Sequence, residues 1–266
     1  MIDYGKKSVL GIMVDAVDYD AALTRIFRAA RERRPYAVSA LAVHGVMTGV
    51  ESEEHKYRLN SFDLIVPDGQ PVRWALNLIH KSALENRVYG PDLTLRTLAR
   101  AEAEGFAVYF YGTTPEILAG LLRSVKERFP KLVVAGAEPS KFRTLNGDER
   151  HELARRITAS GAAITMVGLG CPRQEVFAYE MRPLLSMPVL AVGAAFAFIA
   201  GTLPQAPPVL QKHGLEWLFR LKEEPRRLWR RYLILNPYYV LLLTRQWIGW
   251  NYAILGRRPT NEIGYG

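Results

Sequence analysis

Short continuous runs of Val, Ile, Leu and Ala recur through the first two hundred residues, and most are followed at once by a stretch of helical period. The runs fall at 8–14, 36–43, 62–66, 107–111, 132–136, 162–167 and 188–192. The helical patterns follow, one reaching from the second run to 59 and others at 18–33, 71–81, 92–104, 115–128, 148–160 and 173–181. A strand that is apolar on both sides has to be covered on both sides. The alternation therefore predicts an α/β body, a mostly parallel sheet with helices on both faces. Asp18 and Asp92 stand where N-caps of their helices belong.

From about residue 210 the alternation stops, and only helical, basic, aromatic segments remain, which places a body at 1–205 and an appendage at 206–266. The chain of 266 residues, 49% hydrophobic, is long enough for one core with such an extension. Its one cysteine, Cys171, excludes an internal disulfide and fits a reducing cytoplasm. The first fifteen residues lack the length and cleavage site of a signal peptide.

The appendage carries ten Lys/Arg against three acids between 210 and 258, which is seven of the net +9. These charges alternate with Trp229, Tyr238, Tyr239, Trp247 and Trp250, the composition of a segment lying in the headgroup region of an anionic bilayer; Arg231 belongs to the same set. The charge-free stretch 232–244 has thirteen residues, too few for a hydrocarbon core of roughly 30 Å. Extending it to 256 takes in Arg245, which costs about 2.5 kcal/mol or more at mid-membrane. The tail is thus expected to lie on a membrane surface rather than to span it. Nucleic acid is disfavoured as a partner, because the aromatics sit among Leu and Ile and no recognition motif is present.

In an open parallel sheet, ligands bind beyond the carboxyl ends of the strands. The residues there are His44, Pro67-Asp68-Gly69, Gly112-Thr113-Thr114, the run Gly168 to Glu175, and Gly193-Ala194-Ala195. Glycine-bearing joints at Gly112, Gly168 and Gly193 present backbone N–H groups to a phosphate, or simply make the turn. Asp68 is either a general base at the mouth of the sheet, with Gly69 giving a substrate room, or the cap of the next helix. Gln174 offers a donor and an acceptor to a sugar or base, and Glu175 suits the first turn of its helix. Arg87 reads as a phosphate contact or a surface salt bridge. Metal-binding, Walker and nucleophile-elbow motifs are missing, and Gly168-Leu-Gly170 lacks the third glycine of a dinucleotide site.

Several stretches taken in order resemble the WecG/TagA/CpsF family of bacterial glycosyltransferases (glycosyltransferase family 26). They are Val66-Pro-Asp68-Gly69, Arg87-Val-Tyr-Gly90-Pro-Asp92-Leu93, Gly168-Leu-Gly-Cys-Pro-Arg-Gln174-Glu175, Val192-Gly193-Ala-Ala-Phe196, Gly214-Leu-Glu-Trp217-Leu-Phe-Arg220 and Glu224-Pro225-Arg226-Arg227. The resemblance implies a Rossmann-like hexosyltransferase, inverting and independent of metal or other cofactor. It would move a hexosyl or N-acetylhexosaminyl group from a UDP-sugar to a polyprenyl-diphosphate-linked saccharide for a surface polysaccharide, at the cytoplasmic face of the plasma membrane. On that resemblance Asp68 matches the base, Gln174 a substrate contact, and Arg220, Arg227 and Arg230 the cations of the appendage. The family's Thr-x-Asn after the second strand is not present here, so Ser39 or His44 takes that place. Its Phe-Asp-Phe is Phe196-Ala197-Phe198, which leaves the donor sugar open. The pattern is also compatible with a homo-oligomer. A cofactor-dependent Rossmann enzyme and a non-catalytic membrane-bound assembly factor are the competing readings.

Overall fold

The apolar runs become strands, and the helical patterns become the layers that cover them. The computed structural model describes residues 1–266, except for the side chains of Arg227 and Arg231, so those two expectations lie outside the described residues. The first half contains β1 (Asp3–Val9), β2 (Ile12–Val17), α1 (Tyr19–Arg31), β3 (Tyr36–Leu41), α2 (Val43–Glu51), α3 (Glu53–Asn60), β4 (Leu64–Pro67), α4 (Gln70–His80) and α5 (Gly90–Glu104). The second half runs β5 (Val108–Gly112), α6 (Pro115–Arg128), β6 (Val134–Glu138), α7 (Gly147–Ala159), β7 (Ile164–Gly168), α8 (Arg173–Met181), β8 (Pro188–Ala191) and α9 (Ala195–Ile199). The C-terminal part adds α10 (Pro208–Lys212), α11 (Glu216–Glu223), α12 (Pro225–Arg230), a π-helical stretch Arg231–Leu235 and α13 (Asn236–Trp247).

Six strands form one sheet in the order β4-β3-β8-β7-β5-β6, parallel throughout, and the fold is Rossmann-like. Alternate residues feed two cores, as the two-residue period of a strand requires. Ala37, Ile65, Tyr109, Val167 and Val189 enter the core that α2, α4, α8 and α13 cover. Val38, Leu64, Phe110, Met166 and Leu190 enter the core beneath α1, α5, α6 and α9. Both faces are dry, which is why the strands read as unbroken apolar runs.

Three local expectations change. The run at 8–14 is the tip of a hairpin: Leu10 and Gly11 both have positive φ, at 54° and 84°, as a two-residue turn of this hand demands. The helix expected to continue to residue 59 is broken at Ser52, which has extended backbone and caps α3 through its hydroxyl. Asp92 does not cap its helix. Tyr89 is the N-cap, and Asp92 lies in the first turn, where a carboxylate favours the helix dipole. Asp18 does cap α1, accepting from the Ala21 N–H at 2.9 Å.

The appendage is not an independent lobe. Tyr239 and Leu242 of α13 are buried in the core of the body, and the Tyr239 hydroxyl donates to the Pro71 carbonyl at 3.1 Å. Tyr239 therefore leaves the lipid-facing set: its ring fills the core. Gln246 clamps the hairpin tip, accepting from the Leu10 N–H at 2.8 Å and donating to the Ser8 carbonyl at 2.9 Å. Beyond α13 the chain turns back along the body. Asn60 donates to the Ile254 carbonyl at 2.7 Å, the Arg257 N–H to Glu53 at 3.1 Å, and the N–H groups of Ile263 and Gly264 to buried Glu180 at 2.7 and 2.9 Å. Among the described residues no helix is long and apolar enough to cross a membrane.

Tyr239→Ala is expected to cost about 3–5 kcal/mol, as other large aromatic truncations in cores do. Tyr238→Ala, one residue earlier on the exposed side, is expected to change stability by less than about 0.5 kcal/mol. Chemical denaturation of the two variants measures the contrast.

Candidate active site

Asp68 immediately follows β4 and is held from both sides. Its own N–H donates to the Leu41 carbonyl at the end of β3, at 3.2 Å. Its Oδ1 accepts from the Gly90 N–H at 2.5 Å, in the first turn of α5. The helix-cap reading is thereby excluded: Gly69 is the N-cap of α4 and no side chain bonds there. The approach is close, since a Cβ on Gly90 would lie 3.3 Å from Asp68 Oδ1. The loop entering α5 is fixed to the same strand end by the Val88 N–H, which donates to the Pro67 carbonyl at 3.0 Å.

Two cavities meet at this carboxylate. The first, about 210 Å³, lies over the carboxyl ends of β4, β3, β8 and β7, and Asp68, Gly170, Gln174, Gly193 and Arg220 line it. The second, about 100 Å³, opens between body and appendage, where His44, Gly69 and Arg87 face Trp217, Tyr232 and Asn236. Asp68, Glu216 and Arg220 border both. Trp217 and Tyr232 pair with ring centroids 5.9 Å apart, so the appendage gives the second cavity an aromatic wall.

Several buried polar atoms around these cavities make no hydrogen bond among the described residues. They include Arg220 Nε, Gln174 Oε1 and Gln70 Oε1. Such groups are rare in folded proteins and ask for a partner. Gln174 is oriented by Glu175, whose Oε1 accepts from Gln174 Nε2 at 2.8 Å and from the Ser39 hydroxyl at 3.1 Å. Gln174 consequently presents its carbonyl oxygen near Gly193 and suits a ligand with a hydrogen to donate. Burial pushes the Glu175 carboxyl up, with its hydrogen bonds opposing. Ser39 and Glu175 thus hold the Gln174 amide in place.

Arg87 does form a salt bridge, and a largely buried one. Its Nη2 lies 2.8 Å from Glu216 of α11 and donates to Gln211 Oε1 at 3.0 Å, while the guanidinium stacks over the Tyr89 ring at 4.0 Å. The Tyr89 hydroxyl donates to the other Glu216 oxygen at 3.1 Å. Glu216 and Tyr89 escaped the sequence reading. Their roles need a helix more than a hundred residues away in sequence, although Glu216 lies inside the quoted Gly-Leu-Glu-Trp motif.

Burial pushes the Asp68 carboxyl up to about 6; Arg87, the Gly90 N–H and Arg220 oppose the rise, and Glu216 adds to it. A carboxylate of that strength is a competent base near neutrality. Other expected site residues fall elsewhere. Gly112 and Gly168 line neither cavity: a Cβ on Gly112 would meet the Gly168 backbone at 2.9 Å, and one on Gly168 the Phe196 ring at 2.5 Å. They are glycines because the strand ends pack against neighbours. Arg230 also lines neither cavity and sits with its guanidinium over the Trp229 ring at 5.4 Å. Among the described residues no group of three or more His, Cys, Asp or Glu is arranged to hold a metal ion.

The sequence model of a family described as "Glycosyl transferase WecG/TagA/CpsF family" matches residues 7–252. A curated relative from Bacillus spizizenii (strain ATCC 23059 / NRRL B-14472 / W23) is 31% identical over 198 residues, which is 74% of each chain. It is named N-acetylglucosaminyldiphosphoundecaprenol N-acetyl-beta-D-mannosaminyltransferase.

Gly193 has φ 56°, and a Cβ there would stand 3.0 Å from Gln174 Oε1. Gly193→Ala is expected to cost roughly 1–2 kcal/mol of stability from backbone strain and to displace Gln174. Chemical denaturation of the variant measures the loss of stability.

Proposed function

The chain belongs to the WecG/TagA/CpsF family of glycosyl transferases, and on that footing we propose that it is an inverting, metal-independent transferase that moves an N-acetylhexosaminyl or hexosyl group from a UDP-sugar to a polyprenyl-diphosphate-linked saccharide. The observation that carries the reading is the position of Asp68, where a cavity over the sheet turns meets one walled by the appendage. The UDP-sugar occupies the first, with Gln174 accepting a hydrogen bond from it. The saccharide end of the acceptor enters the second. Asp68 takes the proton from the acceptor hydroxyl as its oxygen attacks the anomeric carbon. The bond from that carbon to the β-phosphate oxygen breaks, and the electron pair leaves on UDP. Arg220, with its Nε–H unengaged by the protein, and the backbone N–H groups of the turns meet the growing charge. Attack from the face opposite the leaving group inverts the centre. The name of the relative makes UDP-N-acetylmannosamine the first donor to try and N-acetylglucosamine the first acceptor sugar.

The acceptor is a lipid, and the exposed surface of the appendage suits it. Trp229, Leu233, Ile234, Tyr238, Leu241, Trp247 and Trp250 are exposed on the appendage, among Arg226, Arg230 and Arg245. Such a surface seats a peripheral protein on an anionic membrane, here the cytoplasmic face of the plasma membrane.

A panel of UDP-sugars assayed for UDP release with a lipid-linked acceptor tests the reaction. Asp68→Asn is expected to fold and bind UDP yet lose transfer by at least about a hundredfold, in line with removal of a general base. Retained turnover removes Asp68 from that role. Because the base must be ionised, kcat/KM is expected to be half-maximal near pH 6 and to fall below it. Deleting the whole appendage would strip Tyr239 and Leu242 from the core, so the membrane test uses Trp229, Trp247 and Trp250 changed together to alanine. The triple variant is expected to keep its melting temperature and to stop sedimenting with anionic vesicles. Undiminished sedimentation overturns the membrane assignment.

A further inference from the structure

The site must satisfy two demands that conflict. Charge leaving on a diphosphate calls for cations close by, and cations close to Asp68 weaken it as a base. α11 brings both signs to the junction, because Glu216 and Arg220 stand one helical turn apart and both border the two cavities. A carboxylate lining a cavity meant for an anionic ligand is otherwise unfavourable. Glu216 is nevertheless held firmly, by Arg87 at 2.8 Å through one oxygen and by the Tyr89 hydroxyl at 3.1 Å through the other.

We propose that Glu216 is a positioning residue that sets the strength of Asp68 as a base, offsetting Arg87 and Arg220 so that the docked appendage brings a cation to the leaving group without silencing the proton acceptor. The inference rests on Asp68 being the base. The titratable and charged groups around Asp68 come from every neighbouring element. Arg87 and Tyr89 precede α5, Tyr19 lies on α1 and His44 on α2. Cys171 and Glu175 belong to the β7–α8 segment, and Glu216 and Arg220 to α11. Tyr89 and Tyr19 are pushed up by burial and stay protonated, and burial also raises the Glu175 carboxyl against its hydrogen bonds. The charges left to act on Asp68 are chiefly Arg87 and Arg220, which lower its carboxyl, and Glu216, which raises it.

The test compares pH profiles of kcat/KM for two charge-removing variants of one ion pair, with the full-length protein on vesicles and the best UDP-sugar from the panel. Glu216→Gln keeps the shape and hydrogen-bonding reach of the side chain but removes the negative charge. Asp68 then ionises more easily, so the acid limb moves to lower pH and the plateau rate falls because the base is weaker. Arg87→Gln removes a positive charge beside the same carboxylate, and its acid limb moves to higher pH. Simple loss of docking lowers both rates without sending the limbs in opposite directions. Limbs that stay in place, or that move the same way in both variants, overturn the proposal. Should one variant fail to fold, the direction of the other still decides. If Asp68→Asn turns over normally, the underlying assignment of the base is at fault; if it is dead while the limbs do not move, only the role of Glu216 is.

Discussion

The pairing of Arg87 with Glu216 is the contact on which the architecture of the site turns. Arg87 comes from the loop after α4, Glu216 from α11, and no other ion pair described here joins that loop to the appendage. A part-buried pair of this kind contributes little net stability, since desolvating both charges costs about as much as their attraction returns. What it does is choose one docking geometry. A guanidinium sandwiched between a carboxylate and the Tyr89 ring fits in a single orientation, and Tyr89 checks the same carboxylate from its other oxygen. With α11 in that orientation, Arg220 and Trp217 face Asp68.

The affinity behind the docking is apolar. Leu228, Tyr239 and Leu242 are buried, Gln246 satisfies the open peptide groups of the hairpin tip, and the last residues run back along α3 and α8. The C-terminal region therefore divides by face. One side completes the core of the body. The other leaves Trp229, Trp247 and Trp250 in the open.

Much of this was legible in the residues. Strands apolar on both faces announce a two-sided parallel sheet, because burying one face alone would strand the other in water, and the sheet is parallel throughout. Asp68 stood out because an apolar run ended at Pro67 and put one acid at the sheet edge. Gln174 and Arg220, singled out by motif, do border the first cavity. Other expectations read differently in the structure. Gly112 and Gly168 look like phosphate-binding glycines, and what they accommodate is a neighbouring strand end and the Phe196 ring. Tyr239 sits beside Tyr238 in an aromatic run, and adjacent helical positions differ in direction by about 100°, so one faces the core and the other the solvent.

Sequence alone determined the layers of the sheet, singled out Asp68 at its carboxyl edge and showed the uneven spread of charge. These are properties of local pattern: period, turn chemistry and composition. Only the tertiary structure decided that the basic tail is part of the body, that Arg87 is matched by Glu216, and that Asp68 lies where two cavities join. Each of those depends on groups separated by roughly a hundred residues or more meeting at a few ångströms. Distance along a chain carries no record of such meetings, and packing supplies it.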